Sequence, residues 1–116
     1  MKIRVTGLDE VLIVQPDVFE DARGFFMETY QRDKYSRAGI AIEMVQDNLA
    51  SSRRGILRGL HLQYPNPQAK LVQVLLGEVF DVAVDVRLGS PNFGRWTGAI
   101  LSEENRHQMF VPAGFA

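Results

Sequence analysis

The feature that most constrains the fold is a series of short runs of β-branched and aromatic residues, separated by Gly, Pro, Asn or Asp. Runs of this length between turn residues are typical of β-strands. They predict nine strands, over Ile3–Val5, Val11–Val14, Phe25–Thr29, Glu43–Leu49, Ile56–Leu62, Lys70–Leu76, Glu78–Val86, Trp96–Leu101 and His107–Val111. One helix is predicted over Arg32–Ala38, ending before Gly39. Nine short strands with tight turns indicate an all-β sandwich or barrel.

The predicted strand Glu78–Val86 alternates with a period of two, so its side chains point to opposite faces of a sheet. We expect one set to form the apolar core face and the other a polar or lumen face; they are Phe80, Val82, Val84 and Val86, and Asp81, Ala83 and Asp85. Gly77 precedes this strand and predicts the tip of a hairpin.

Composition limits the class of protein. The 116 residues suffice for one domain, so we expect a single domain over residues 1–116. The 13 basic and 14 acidic side chains leave a net charge of −1, which argues against a nucleic-acid surface. No cysteine is present, which excludes disulfides, thiolate metal sites and a cysteine nucleophile. No apolar run reaches the ~20 residues that span a bilayer. No signal-peptide core begins the chain, so a cytoplasmic protein without a membrane partner is predicted.

The clearest chemical pattern is His61 three residues after Arg58 and nine before Lys70. A neutral imidazole held beside two cations suits removal of a proton next to a carbonyl, and the ammonium would stabilise the resulting oxyanion. A lone histidine in an apolar strand is more often a packed core residue, and the spacing of the three residues favours the catalytic interpretation. Asp81, Asp85 or a residue beyond Ala116 are the candidates to orient the imidazole.

Other polar positions fit ligand binding less specifically. Arg23 and Arg58 could together bind phosphate oxygens. Polar residues on apolar strands need partners, which a sugar, a nucleotide or other side chains would supply equally well; these residues are Glu28, Gln46 and Asn48. A protein metal site is not expected, because the potential ligands beside His61 are Gln63, a poor ligand, and Lys70, a cation.

These residues belong to phrases that resemble the dTDP-4-dehydrorhamnose 3,5-epimerase family along essentially the whole chain. The phrases are Phe19–Glu28, Gln46-Asp47-Asn48, Gly55–Gln63, Lys70–Val74, Gly77–Arg87, Ser90–Gly94, Leu101–Asn105 and Val111–Ala116. The resemblance implies a cupin-like jelly-roll (double-stranded β-helix) barrel. It also implies an isomerase that inverts C3 and C5 of dTDP-4-dehydro-6-deoxyglucose without metal or other cofactor.

The resemblance implies His61 as the proton acceptor and Lys70 as the residue beside the C4 carbonyl. It implies contacts to the nucleotide sugar from Arg23, Glu28, Gln46, Asp47, Asn48, Arg58 and Gln63. It further implies a homodimer and a role in dTDP-rhamnose and lipopolysaccharide biosynthesis.

In the family, the phrase that ends at Ala116 continues with strands that carry a proton-donating tyrosine and a base-orienting aspartate. We therefore expect a fragment, with a barrel incomplete at its C-terminus and inactive alone. Three alternatives stay open: epimerisation of C3 or C5 only, 3,4-ketoisomerisation of the same sugar, and a non-catalytic sugar-nucleotide-binding cupin.

Overall fold

Eight strands and one short helix form the regular structure of the computed structural model, which describes residues 1–116. In chain order they are β1 (Lys2–Val5), β2 (Leu12–Gln15), β3 (Val18–Asp21), β4 (Gly24–Met27), α1 (Arg32–Arg37), β5 (Lys70–Gln73), β6 (Glu78–Val84), β7 (Trp96–Ser102) and β8 (Gln108–Val111). The structure is therefore nearly all-β, as the sequence predicted. No helix is both long enough and apolar enough to cross a membrane.

The main sheet has four antiparallel strands in the order β1-β2-β8-β5, and both of its faces are covered. On the inner face, Ile13 of β2 and Met109 of β8 pack against Ala83 of β6 and Leu101 of β7, all with no exposed surface. The β6–β7 pair thus faces the main sheet across one apolar core.

The outer face of the main sheet is covered by α1. Tyr35 of this helix is almost fully buried against Leu12, Val14 and Phe110. Its hydroxyl lies 2.8 Å from Oε1 of Gln108, which is itself buried. The amide nitrogen of Gln108 donates to the Thr29 carbonyl (2.7 Å) and to Gln73 Oε1 (2.9 Å). This network fixes the chain around residue 29 to the main sheet.

The prediction of α1 is confirmed, and its helix begins where expected. The Gln31 side chain caps it by accepting from the Lys34 amide at 2.6 Å. Gly39 follows with φ +95°, a left-handed conformation that a glycine adopts without strain.

The hairpin β3–β4 forms a separate two-stranded sheet, and Arg106 ties it to the main body. Arg106 Nη1 lies 2.7 Å from Glu20 Oε1, and the guanidinium lies 4.0 Å from the centre of the Phe25 ring. The register partners Phe19 and Phe26 remain 64% and 71% exposed. The sequence predicted β4 but not β3. Residues 18–21 show no clear alternation of polar and apolar side chains, because two apolar residues are followed by two acidic ones.

Two predicted strands are wrong. Residues 43–49 and 56–62 are not in strands, because no segment pairs with their backbones. The alternation in these segments is real, but a strand also needs a neighbour to accept and donate its backbone hydrogen bonds.

The prediction of a hairpin at Gly77 is also wrong. β5 ends at Gln73 and pairs with β8, whereas β6 pairs with β7, so residues 74–77 cross from one sheet to the other. Gly77 has φ +79°, and its carbonyl accepts from the Glu103 amide at 3.0 Å.

The period of two in β6 is confirmed, but the assignment of its core face is wrong. Ala83, and Asp85 just after the strand, are fully buried, while Phe80 is 59% exposed. The apolar set therefore faces away from the core. The reason is local packing: Ala83 packs in the core between the sheets, and the Phe80 ring lies over Gly98, where a Cβ would come within 2.7 Å of the ring.

Candidate active site

A cavity of about 460 Å³ opens between the main sheet and the β6–β7 pair. Most of its wall is apolar, and its four ionisable side chains come from three parts of the chain. The lining residues are Leu57, Arg58, Gly59, Leu60, His61, Lys70, Val72, Phe80, Asp81, Val82, Val111, Phe115 and Ala116. An apolar cavity with a few convergent polar groups is the usual form of a small-molecule site.

Lys70 and Asp81 enter this cavity from opposite walls. Lys70 is the first residue of β5 and lies opposite Val111, on the face of the main sheet that packs against the core. Asp81 lies opposite Ala99 in the β6–β7 pair, on the same face as the buried Ala83. The spacing of the strands, and not proximity in sequence, brings the two charges to one space.

Burial raises the pKa of the Asp81 carboxyl, and the Lys70 ammonium opposes that increase. Its Oδ2 atom is buried without a hydrogen-bond partner. No carboxylate accepts a hydrogen bond from His61, so Asp81 does not orient the imidazole in this structure.

His61 reaches the cavity from a segment without regular structure, and Gly59 makes room for its ring. Gly59 has φ +104°, and a Cβ at this position would lie 3.1 Å from His61 Nδ1. A larger residue would therefore be strained and would displace the ring. Nearby, Arg58 Nε donates a hydrogen bond to Ser52 Oγ (2.8 Å), and Arg58 Nη2 donates one to the Ser51 carbonyl (3.0 Å).

The structure thus brings together Arg58, His61 and Lys70, the three residues that the sequence pattern singled out. The other candidate binding residues are exposed and do not line the cavity; they are Arg23, Glu28, Gln46, Asp47, Asn48 and Gln63.

Several of these outlying residues are occupied by local partners. Arg23, at the turn of the β3–β4 hairpin, pairs with Asp21 at 2.6 Å, and Glu28 pairs with Lys34 at 2.8 Å. The Gln46 amide donates to Asn48 Oδ1 at 3.1 Å. All these bonds lie at the surface, where a ligand could replace them at little cost.

Asp85 belongs to a different group of charges. Its carboxylate accepts from Arg87 Nη2 (2.8 Å) and Nε (3.0 Å) and from Ser90 Oγ (2.6 Å). The hydrogen bonds from Arg87 hold the pKa of Asp85 well below its usual range. Arg87 also binds Glu10, and its guanidinium lies 4.6 Å from the centre of the Phe115 ring. The Asp85 carboxylate is therefore not available to orient an imidazole, which was one of the sequence-based alternatives.

The group around Asp85 supports one wall of the cavity. Residues 114–116 pair with the end of β6: the Val84 amide and carbonyl each bond Ala116 at 2.9 Å, and the Val86 amide donates to the Gly114 carbonyl. Gly114 has φ +89°, and a Cβ there would lie 2.6 Å from Arg87 Cγ. This close packing places Phe115 and Ala116 in the wall.

No three His, Cys, Asp or Glu side chains come together in a way that could hold a metal ion. The second histidine, His107, lies just before β8, outside the cavity; burial and the nearby Arg4 lower its pKa.

Comparison with known proteins identifies the family. The family model described as dTDP-4-dehydrorhamnose 3,5-epimerase matches residues 5–116. The chain belongs to the dTDP-4-dehydrorhamnose 3,5-epimerase family. This result confirms the resemblance on which the sequence-based expectations were built.

Two relatives illustrate how far the similarity to this epimerase family extends. The dTDP-4-dehydrorhamnose 3,5-epimerase of Methanothermobacter thermautotrophicus is 51% identical over 111 residues, which are 96% of this chain and 60% of that protein. The crystal structure of dTDP-6-deoxy-D-glucose-3,5-epimerase from Legionella pneumophila, in complex with dTDP-4-keto-L-rhamnose, superposes with a TM-score of 0.96 at 53% identity. That match covers 99% of this chain and 62% of the Legionella chain.

The fold is the cupin-like jelly roll of these epimerases, as predicted. The chain spans about three-fifths of the length of these two relatives.

Proposed function

We propose that this chain supplies the base and the oxyanion-stabilising cation of an epimerase that converts dTDP-4-dehydro-6-deoxyglucose to dTDP-4-dehydro-L-rhamnose. The observation that carries the proposal is that His61 and Lys70 line one apolar cavity. Membership of the epimerase family supports it, and so does the keto-rhamnose nucleotide bound to the Legionella relative.

In this reaction His61 takes the proton from C3 or C5, both of which are next to the C4 ketone. The electron pair of the broken C–H bond moves to the C4 oxygen and forms an enolate. Lys70 donates hydrogen bonds to that oxygen and stabilises its charge in surroundings of low polarity. An acid on the opposite face of the sugar then donates a proton to the carbon, which forms a new C–H bond with inverted configuration as the enolate returns to the ketone, and His61 releases the proton that it took to solvent.

The proposal assigns the nucleotide to the basic and amide side chains around the cavity. Arg58 lines the cavity and presents a guanidinium, which is suited to the diphosphate. The surface residues Arg23, Glu28, Gln46, Asp47, Asn48 and Gln63 are proposed as further contacts, reached by a ligand that extends out of the cavity. No metal or other cofactor takes part in this scheme.

The test is exchange of hydrogen between substrate and solvent. Because the 116 residues alone are expected to be inactive, the full-length epimerase that contains them is incubated with dTDP-4-dehydro-6-deoxyglucose in deuterated water, and NMR measures deuterium at C3 and C5. We expect label at both carbons. Label at one carbon only would indicate a mono-epimerase, a change in ketone position would indicate an isomerase, and binding without label would indicate a non-catalytic module.

The two histidines provide a matched pair of variants. His61→Asn should lower the exchange rate by about 10²–10⁴-fold, the usual contribution of a general base. His107→Asn makes the same chemical change outside the cavity and should leave exchange nearly unchanged. Equal effects of the two substitutions would contradict the assignment of His61.

Lys70 has a similar control. Lys70→Met should lower exchange by about 10²–10³-fold, as for loss of a group that stabilises an oxyanion. Lys2→Met removes an exposed ammonium from β1 and should have little effect. Retained exchange in Lys70→Met would exclude the proposed role of the ammonium.

We further propose that the active species is a homodimer. The support is the exposure of Phe19 and Phe26 on one face of the β3–β4 hairpin, since adjacent exposed aromatic side chains are characteristic of interaction surfaces. Sedimentation equilibrium of the protein should give twice the monomer mass, and Phe26→Ser should weaken the association. The cytoplasmic location and the role in lipopolysaccharide biosynthesis stay predictions from the resemblance.

A further inference from the structure

Asp81 has a property that the proposed reaction does not explain. Its Oδ2 atom is buried and has no hydrogen-bond partner, although its side chain lines the same cavity as the proposed base and cation. A buried carboxylate oxygen normally has a partner, because leaving it without one is unfavourable. The partner of Asp81 is therefore expected among the groups that can move into the cavity.

Three other ionisable side chains line the cavity, and one of them fits best. Arg58 already donates to Ser52 Oγ and to the Ser51 carbonyl. Nδ1 of His61 faces Gly59. Lys70 lines the cavity from the sheet that faces Asp81, has no ion-pair or hydrogen-bond partner, and is near enough for its charge to act on the Asp81 carboxyl.

The chemistry of lysine makes this pairing useful. A lysine ammonium has three donors on a flexible four-carbon stem, so a bond to one acceptor leaves two donors free. A carboxylate on the far wall would draw the ammonium across the cavity and restrict its orientation. The free donors would then meet the oxygen of a ketone bound between the two sheets.

This inference rests on the proposed function. We propose that Asp81 is the positioning residue for Lys70, accepting a hydrogen bond from its ammonium and holding it over the substrate ketone. The carboxylate also offsets the positive charge that Arg58 and Lys70 bring to the cavity. Asp81 itself exchanges no proton with the substrate.

The test compares Asp81→Asn, which removes the charge and keeps the shape, with Glu78→Gln, which makes the same change at an exposed position of the same strand. In the ligand-free protein, lysines are reductively methylated with ¹³C, and NMR follows the titration of the Lys70 signal. In Asp81→Asn its midpoint should move to lower pH by about half a unit to one unit, because a neighbouring carboxylate favours the charged amine. Glu78→Gln should leave it unchanged.

Kinetics provide a second readout. In Asp81→Asn we expect kcat to fall by about 10–100-fold with KM changed by less than about threefold, since the lost interaction matters mainly for the enolate. The upper limb of the kcat–pH profile should move to lower pH. In a Lys70→Met background, Asp81→Asn should add little further loss, because the two residues act as one unit. Asp81→Glu keeps the negative charge, so the Lys70 signal should titrate as in wild type. If Asp81→Asn fails to fold, Asp81→Glu is the variant that is compared with wild type.

Two results would overturn the inference. One is a midpoint of the Lys70 titration that is the same in Asp81→Asn as in wild type, or that is shifted to lower pH in Asp81→Glu as well. The other is a raised KM with unchanged kcat, which would make Asp81 a substrate-binding group. If the wild-type protein exchanged no hydrogen at C3 or C5, the proposed function would fail, while the ligand-free titration would still decide whether Asp81 and Lys70 are coupled.

Discussion

Replacing Asp85 with asparagine should destabilise the protein by about 2–3 kcal/mol. Removing one partner of a buried ion pair typically costs about 3–5 kcal/mol, because the other charge is left without compensation. Here Asp85 is fully buried, but Arg87 is 33% exposed and keeps Glu10 as a second partner. Solvent and that second carboxylate reduce the loss, which places it below the usual range for a buried pair.

The measurement is urea unfolding at pH 7, followed by circular dichroism and analysed by linear extrapolation. For a chain of this length a loss of this size should lower the thermal midpoint by roughly 10 °C. The control is Glu10→Gln, which removes the exposed partner of the same arginine and should cost less than about 1 kcal/mol. If Glu10→Gln costs as much as Asp85→Asn, or if Asp85→Asn is within about 0.5 kcal/mol of wild type, the argument from burial is refuted.

The pH dependence provides an independent check. Arg87 lowers the pKa of Asp85 in the folded protein, so the ionised carboxylate stabilises the fold. A depressed folded pKa means that this contribution is complete above the unfolded pKa, about 4, and is lost as the pH falls below it. The stability difference between wild type and Asp85→Asn should therefore narrow from about pH 4 downward, and a difference that widens in acid would contradict the sign.

Three further substitutions test the packing around the cavity and the main sheet. Gly59→Ala should displace the His61 ring, which NMR detects as a changed imidazole shift, and should reduce deuterium exchange into substrate by about 10-fold or more; an unchanged shift would contradict the contact. Tyr35→Phe should cost about 1–2 kcal/mol in urea unfolding, because the buried Gln108 oxygen loses a donor; a neutral result would show that water replaces the hydroxyl. Arg106→Ala should speed amide hydrogen exchange in the β3–β4 hairpin while changing global stability by less than about 1 kcal/mol, and equal exchange in the two proteins would rule out the tether.

Local patterns predicted the elements whose structure depends on nearby residues. The helix over 32–37 has its cap, its buried Tyr35 and its terminal Gly39 within a few positions of one another. Strands such as β2 and β8 lie in runs apolar enough to be buried whichever way they face. Pattern alone could not supply the partner that a strand needs, so the segments 43–49 and 56–62 were assigned wrongly.

The same distinction holds for the site. The spacing of Arg58, His61 and Lys70 correctly indicated three residues that share a cavity. The sequence named Asp81 as a possible partner of His61, but it could not reveal that Asp81 faces Lys70 from the other sheet without a hydrogen bond to the imidazole, because the pairing of β6 with β7 and of β5 with β8 depends on residues far apart in the chain. Nor could it show that Gly59 leaves space for an imidazole, since that contact depends on a backbone conformation rather than on residue type.

The walls of the cavity belong to two sheets that are held apart by side chains and share backbone hydrogen bonds only at one end, where residues 114–116 bond to the end of β6. The gap across which Lys70 faces Asp81 is therefore a distance set by core volume, chiefly that of Ala83, Leu101 and Met109. A core substitution that adds or removes a methyl group would therefore widen or narrow the cavity. Such a change, far from any reacting atom, could alter the rate of the proposed reaction.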